Sequence, residues 1–189
     1  MKEPLKFFLI AGEPSGDLHG AKLIRAIKTL QPLSSFMGHG GHLMEKEGMK
    51  IVEHCNNLSV MGFKEVAVHL PRIWTIFNNT VALVKKVKPD RIILIDYPGF
   101  NLRFAKSISK FGIPISYFVL PQAWAWKSKR VETIKKHFDQ SFSIFPFEQK
   151  WYRSKGVDTK YYGHPFMEID HLNEDRVQFF KRHKLNQKE

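Results

Sequence analysis

A chain of 189 residues, 43% hydrophobic and 25% charged, can bury one substantial core, and its length argues against a second full domain. Thirty Lys and Arg against 18 Asp and Glu give a net charge of +12, which favours an anionic partner: nucleic acid, a phosphorylated ligand or acidic lipid headgroups. The one cysteine, Cys55, rules out an internal disulfide and reads as a small buried hydrophobe in a reducing compartment.

Lys2 and Lys6 flank the start of a short apolar run, but Gly12-Glu13-Pro14 follows at once, so the pattern is strand and loop rather than secretory signal. No apolar run approaches the roughly 20 residues of a membrane span, and the expectation is a cytoplasmic protein. Residues 5–11 read as a buried strand, 12–17 as a loop, and 19–30 as a helix with Leu23, Ile24 and Ile27 on its apolar face. A strand, a glycine-containing loop and a helix start present backbone N–H groups to an anion. The G-x-G-x-x-G, P-loop and G-x-S-x-G patterns are all missing here, which disfavours dinucleotide or ATP binding and a hydrolase elbow. Ser15 or Asp17 would serve equally well as a helix N-cap, with Gly16 relieving a tight turn; Glu13, before a proline, has no capping task.

Residues 35–38 form a short strand entering Gly38-His-Gly-Gly41, where His39 and His42 lack the further clustered ligands of a metal site. Residues 60–68 lead into a helix expected to begin near Pro71. Its stripe of Ile73, Ile76, Phe77, Val81, Val84 and Val87 should face the core. Val66, Val68, Leu70 and Trp74 fall off that stripe. Either neighbouring elements cover them, or they form an apolar patch beside Lys64, His69 and Arg72, the arrangement by which a protein lies on anionic lipid.

Ile92 to Ile95 is an unbroken β-branched and aliphatic run, as in a strand buried on both faces. It ends in Asp96, and Pro98-Gly99 turns the chain before Asn101 opens a helix running to about residue 110. A carboxylate at the carboxyl end of a central parallel strand lies where open α/β sheets bind ligands, although capping the loop is a competing role. A strand at 113–120 runs into Pro121-Gln-Ala-Trp-Ala-Trp126 and the basic Lys127, Lys129 and Arg130. Trp124 and Trp126 can wall a pocket with cations near a phosphate. Then come a helix (131–137), a strand (140–144), Phe145-Pro-Phe-Glu148, a helix (151–155), a strand (159–162), Gly163-His-Pro165 and a polar helix (174–184). This alternation predicts an α/β fold: a Rossmann-like parallel sheet with helices on both faces. The strand-end loops would gather along one edge, with Asp96 near the middle.

Taken together, Gly12-Glu-Pro-Ser-Gly-Asp17, Val60-Met-Gly62, Ile95-Asp-Tyr-Pro-Gly-Phe-Asn101, Pro121-Gln-Ala-Trp-Ala-Trp126, Phe145-Pro-Phe-Glu148 and Gly163-His-Pro165 resemble the lipid-A-disaccharide synthase family in order and spacing. The resemblance implies a GT-B glycosyltransferase joining UDP-2,3-diacylglucosamine to 2,3-diacylglucosamine 1-phosphate. The products would be a β-1,6-linked disaccharide and UDP, formed on the cytoplasmic face of the inner membrane. It further implies that residues 1–189 are the acceptor-side half, with the UDP-sugar held by a carboxyl-terminal domain that is separate or missing. A lone half would then be inactive or nearly so. Asp96 takes the family's catalytic position. Glu13, Ser15, Gly16, Asp17, Asn101, Gln122, Trp124, Trp126, Glu148 and His164 take substrate-binding positions, and Val66, Val68, Leu70 and Trp74 the membrane contact. No cofactor, metal or nucleic acid is implied. Many members carry a second aspartate where this chain has Gly99, so no carboxylate pair is expected. Two rivals are a different Rossmann-like nucleotide-binding enzyme, against which the missing glycine fingerprint argues, and a basic RNA- or DNA-binding module, for which no recognised motif is present.

Overall fold

The computed structural model describes residues 4–58, 63–168 and 176–183, with the backbone alone at 63–69, 168 and 176–178. Seven strands, β1 (Lys6–Ala11), β2 (Ser35–Gly40), β3 (Lys50–His54), β4 (Arg91–Ile95), β5 (Ile115–Phe118), β6 (Gln140–Ser143) and β7 (Thr159–Tyr161), form one parallel sheet in the order β3-β2-β1-β4-β5-β6-β7. The helices are α1 (Pro14–Leu30), α2 (His42–Lys46), α3 (Phe63–Val87), α4 (Pro98–Ile108), α5 (Arg130–His137), α6 (Pro146–Ser154) and α7 (Arg176–Arg182).

Period-two alternation in the central strands divides the core in two. Phe8, Ile10, Ile92 and Leu94 point to a layer built from α3 to α6, where Phe77, Phe104, Ile134 and Tyr152 pack. Phe7, Leu9, Ala11, Ile93 and Ile95 point the other way, onto Ala21 and Ile24 of α1 and Met44 of α2. Both faces are covered, so the fold is the expected Rossmann-like α/β sheet. From β1 the chain winds outward through β2 and β3, then returns to place β4 on the other side of β1. Ala11 pairs with Ile95 at the carboxyl ends, and the connections diverge there, opening a crevice.

Several boundaries differ from expectation, for one shared reason. Pro14, Pro98 and Pro146 each sit at the first positions of a helix, where a proline's missing N–H costs nothing and its fixed φ is already helical. Read as loop residues, they hid the first turns of α1, α4 and α6. The segment 12–17 is therefore a two-residue turn followed by helix, and Gly16 is buried: a Cβ there would come within 3.1 Å of the Ala11 Cβ. Asp17 faces inward, 6% exposed, and accepts hydrogen bonds from the N–H groups of Gly41 (2.8 Å), Leu43 (3.0 Å) and Met44 (3.0 Å). It thereby caps α2, a helix not anticipated, instead of its own. The polar edge strand β3 was not anticipated either. Helix α3 begins at Phe63, with Pro71 in its interior. Its stripe behaves as expected, with Ile76, Phe77 and Val84 buried and Ile73, Val81 and Val87 half-buried.

His39 is a core residue. It is fully buried between the rings of Phe8 and Phe100. Thr80 donates its hydroxyl to the Ile76 carbonyl and accepts from His39 Nε2 at 2.9 Å. Burial lowers the imidazole pKa to about 4. Among the described residues no three or more His, Cys, Asp or Glu side chains gather as metal ligands, and no helix is long and apolar enough to cross a membrane.

Candidate active site

At the end of β4 the backbone takes an unusual path. Asp96 and Tyr97, neither of them glycine, both lie in the left-handed region with φ of 45°. Such positions cost on the order of 1–3 kcal/mol each and persist only where neighbours over-determine them. Here the neighbours are numerous. The Asp96 N–H donates to the Phe118 carbonyl at 3.0 Å. The Asp96 carbonyl accepts from Asn101 Nδ2 (2.8 Å) and from the hydroxyl of buried Tyr117 (3.0 Å), and Asn101 also reaches the Ile95 carbonyl at 3.2 Å. The Tyr97 hydroxyl donates to the Leu58 carbonyl at 2.9 Å. The Tyr97 ring lies so close over Gly12 that a Cβ on Gly12 would overlap it at 2.4 Å, so only glycine fits beneath that ring.

This scaffold holds Asp96, half-buried, at the carboxyl end of β4 beside β1, near enough to Glu13 in the turn after β1 for their charges to interact. Burial, and then the negative charge of Glu13, push its pKa up to about 6; the Tyr97 amide and the charge of Arg130 pull the other way. An aspartate of that affinity is mostly ionised at neutral pH yet can accept a proton from a hydroxyl and release it again, as general-base catalysis requires. Burial and Glu13 likewise raise the pKa of Tyr97.

The far wall comes from the loop after β5. Glu148, fully buried, accepts from the Trp124 indole N–H at 2.9 Å and from the amides of Ile144 (3.3 Å) and Phe145 (3.2 Å). Trp124 is therefore held at a fixed angle, edge-on to Phe147. Trp126 is 60% exposed, with Lys127 and Arg130 over its ring at 4.9 and 5.5 Å. Lys127 and Lys129 precede α5 and Arg130 opens it, and together they supply positive charge suited to a phosphoryl group.

The expected site residues thus divide by position. Glu13, Ser15, Gln122, Trp124 and Trp126 have surface open to a ligand. Asp17, Gly16, Asn101 and Glu148, expected as substrate contacts, are buried; their groups hold α2, the α1–sheet contact, the Asp96 loop and the Trp124 loop respectively. They act by positioning. His164 lies apart from Asp96, lining a cavity of about 260 Å³ with His19, Lys22, Phe118 and Met167. There burial, then Lys22 and His164, lower the His19 pKa. Arg130 is one of the cations expected near a phosphate, whereas nothing in the sequence marks Tyr97 or Tyr117 as a site residue. Leu70 and Trp74 are exposed by 53% and 61%, as expected of residues off the core stripe, and Val66 and Val68 lie outside the described side chains. The Val60-Met-Gly62 motif also lies outside the described residues.

Comparison with known proteins gives two kinds of likeness. The family model described as lipid-A-disaccharide synthetase matches residues 7–189. The lipid-A-disaccharide synthase of Myxococcus xanthus is 40% identical over 168 residues, covering 89% of this chain and 44% of that protein. That of Syntrophotalea carbinolica is 40% identical over 187 residues, covering 96% and 47%. The chain spans about half the length of the curated relatives it matches. Among solved structures, the UDP-N-acetylglucosamine 2-epimerase of Rickettsia bellii superimposes with a TM-score of 0.61 at 13% identity, covering 97% of this chain and 52% of that one. A protein described as a putative UDP-N-acetylglucosamine 2-epimerase from Listeria monocytogenes gives 0.59 at 13%, covering 83% and 43%. At such identities the likeness shows a shared fold.

The raised Asp96 pKa carries a consequence for stability. The folded value of about 6 exceeds the roughly 3.9 of an unfolded aspartate, so the fold disfavours the ionised form. That penalty is absent below about pH 4 and complete above about pH 6. Asp96→Asn should therefore stabilise the protein at pH 7.5, by on the order of 1–2 kcal/mol, and the gain should shrink as pH falls towards 4. Urea denaturation at both pH values checks this; a loss of stability at pH 7.5 would contradict it.

Proposed function

The chain belongs to the lipid-A-disaccharide synthetase family, and from that membership we propose that it is the acceptor-side half of a glycosyltransferase. The reaction joins UDP-2,3-diacylglucosamine to 2,3-diacylglucosamine 1-phosphate and releases UDP. Asp96 takes the proton from the acceptor's 6-hydroxyl as that oxygen attacks the anomeric carbon of the donor. The bond from that carbon to the diphosphate breaks, and UDP leaves with the electron pair. Attack from the opposite face gives the β-1,6 linkage. Burial and, after it, Glu13 keep Asp96 basic, the Asn101–Tyr117 clamp keeps it aimed, and Lys127, Lys129 and Arg130 face a phosphoryl group across Trp126. The UDP-sugar is held by a second domain outside residues 1–189, so these residues alone transfer little or nothing.

The observation that carries this reading is the carboxylate at the switch point, locked in a strained loop with a pKa near neutrality. Asp96→Ala, in a chain joined to or mixed with a donor half, should lower kcat/KM by about 10²–10⁴-fold while the protein remains folded. A rate within about threefold of the unaltered protein, under roughly 0.7 kcal/mol of barrier, would remove Asp96 as the base.

Acylated substrates call for contact with a lipid surface, and we place it on α3, on the cytoplasmic side of the inner membrane. Support comes from exposed Leu70 and Trp74, with Arg72, Lys85 and Lys86 also exposed on the same helix. Each buried apolar side chain adds on the order of 1.5–3 kcal/mol at most and each cation roughly 1 kcal/mol, enough for reversible attachment. The protein should sediment with anionic vesicles at low salt and much less at high salt. Salt-independent sedimentation, or none by a folded protein, would contradict this contact.

A further inference from the structure

Beside the Asp96 crevice lies a second hollow of about 250 Å³ between α3, α4 and the loop after β3, lined almost wholly by apolar side chains. Leu58, Phe77 and Phe100 form its buried floor, half-buried Ile73 its flank, and exposed Leu70 and Trp74 its mouth. Tyr97 separates it from the crevice. One side of that tyrosine covers Gly12 of the polar crevice, while its ring stacks on Phe100 at 5.8 Å. Gly99, one turn-position beyond, also lines the hollow, and a Cβ there would meet nothing within 4 Å.

A polar crevice and an apolar hollow sharing one tyrosine wall fit a ligand that is itself divided, with a polar head and a hydrocarbon tail. We infer that the hollow receives one acyl chain of the lipid whose sugar lies at Asp96, with Tyr97 as the partition between the two. The inference rests on the acylated-acceptor reading and names the place of one chain. A dry apolar cavity of roughly 150 Å³ already takes up benzene, so this hollow holds a chain of several carbons more. Leu70 and Trp74 at the mouth lead outward from it, and exposed Arg103 lines the same hollow, so the tail would enter from an anionic lipid surface and not from bulk water. Gly99 leaves the hollow open where a larger side chain would begin to fill it.

Calorimetry on residues 1–189 with monomeric N-octanoyl, N-decanoyl and N-dodecanoyl glucosamine tests the inference. Affinity should rise about fourfold for each methylene that enters the hollow, the factor expected from about 0.8 kcal/mol per buried CH₂, and then level off. Gly99→Leu should flatten that series without lowering the thermal midpoint, because its Cβ enters open space and leucine is the better helix former in α4. Should Gly99→Leu fail to fold, Trp74→Ala, at an exposed position, is the second variant and should lower the slope. A chain-length series unaffected in a folded Gly99→Leu protein would overturn the inference. So would self-association of the chain that Gly99→Leu abolishes, since the hollow would then belong to a second copy. The same slope with plain fatty acids supports the hollow whatever becomes of the glycosyltransferase reading, which the Asp96→Ala rate tests separately.

Discussion

Two consecutive left-handed residues, Asp96 and Tyr97, make the turn on which the crevice depends, and they hold that conformation only because residues from three separate elements grip them. Phe118 from the end of β5, Tyr117 beside it, Asn101 in the first turns of α4 and Leu58 after β3 each satisfy one polar group of the turn. With the backbone held in this way, the position of the Asp96 carboxylate, itself bonded to the Tyr97 amide, is fixed at the end of β4. The cost of the strain is met by burial across the rest of the sheet, and the result is a base whose position does not have to be found anew in each encounter.

The carboxylates of this chain illustrate how environment divides one chemistry into separate roles. Asp17 and Glu148 are buried and surrounded by N–H donors: three backbone amides for the first, an indole and two amides for the second. Both fix loops. Asp96 lacks such a set of donors, and burial, followed by the nearby charge of Glu13, raises its proton affinity. A net charge of +12 over the whole chain does not change this local balance. It acts at longer range, where Arg72, Lys85 and Lys86 on α3 and the cations at the start of α5 favour anionic surfaces and phosphoryl groups.

Much of the fold was legible because the central strands are written in apolar residues without interruption. Phe8 to Ala11 and Ile92 to Ile95 fit a sheet covered on both sides and little else. Helix starts were less legible, since Pro14, Pro98 and Pro146 look alike whether they end a loop or open a helix. Strand β3, with exposed Lys50 and half-buried Glu53 and His54, lacks the apolar run of a central strand because it lies at the sheet edge. The site was legible in its motifs but not in its division of labour. Motif membership cannot separate a carboxylate that touches substrate from one that caps a loop, because both are required for the same geometry. Nothing in Asp-Tyr-Pro-Gly announces two left-handed residues; that conformation is imposed by contacts from residue 101, one helical turn on, and from residues 58, 117 and 118, distant in the chain.

The claim that matters most is that the fold, before any substrate arrives, holds Asp96 as a near-neutral base. A carbon-13 NMR titration of the aspartate carboxyl carbons, with Asp96 assigned by its loss in Asp96→Asn, measures this directly in the isolated chain. The account predicts a midpoint near 6, falling only part of the way towards the ordinary aspartate range in Glu13→Gln, because burial, the larger cause, remains. A midpoint near 4, unmoved by Glu13→Gln, would contradict it.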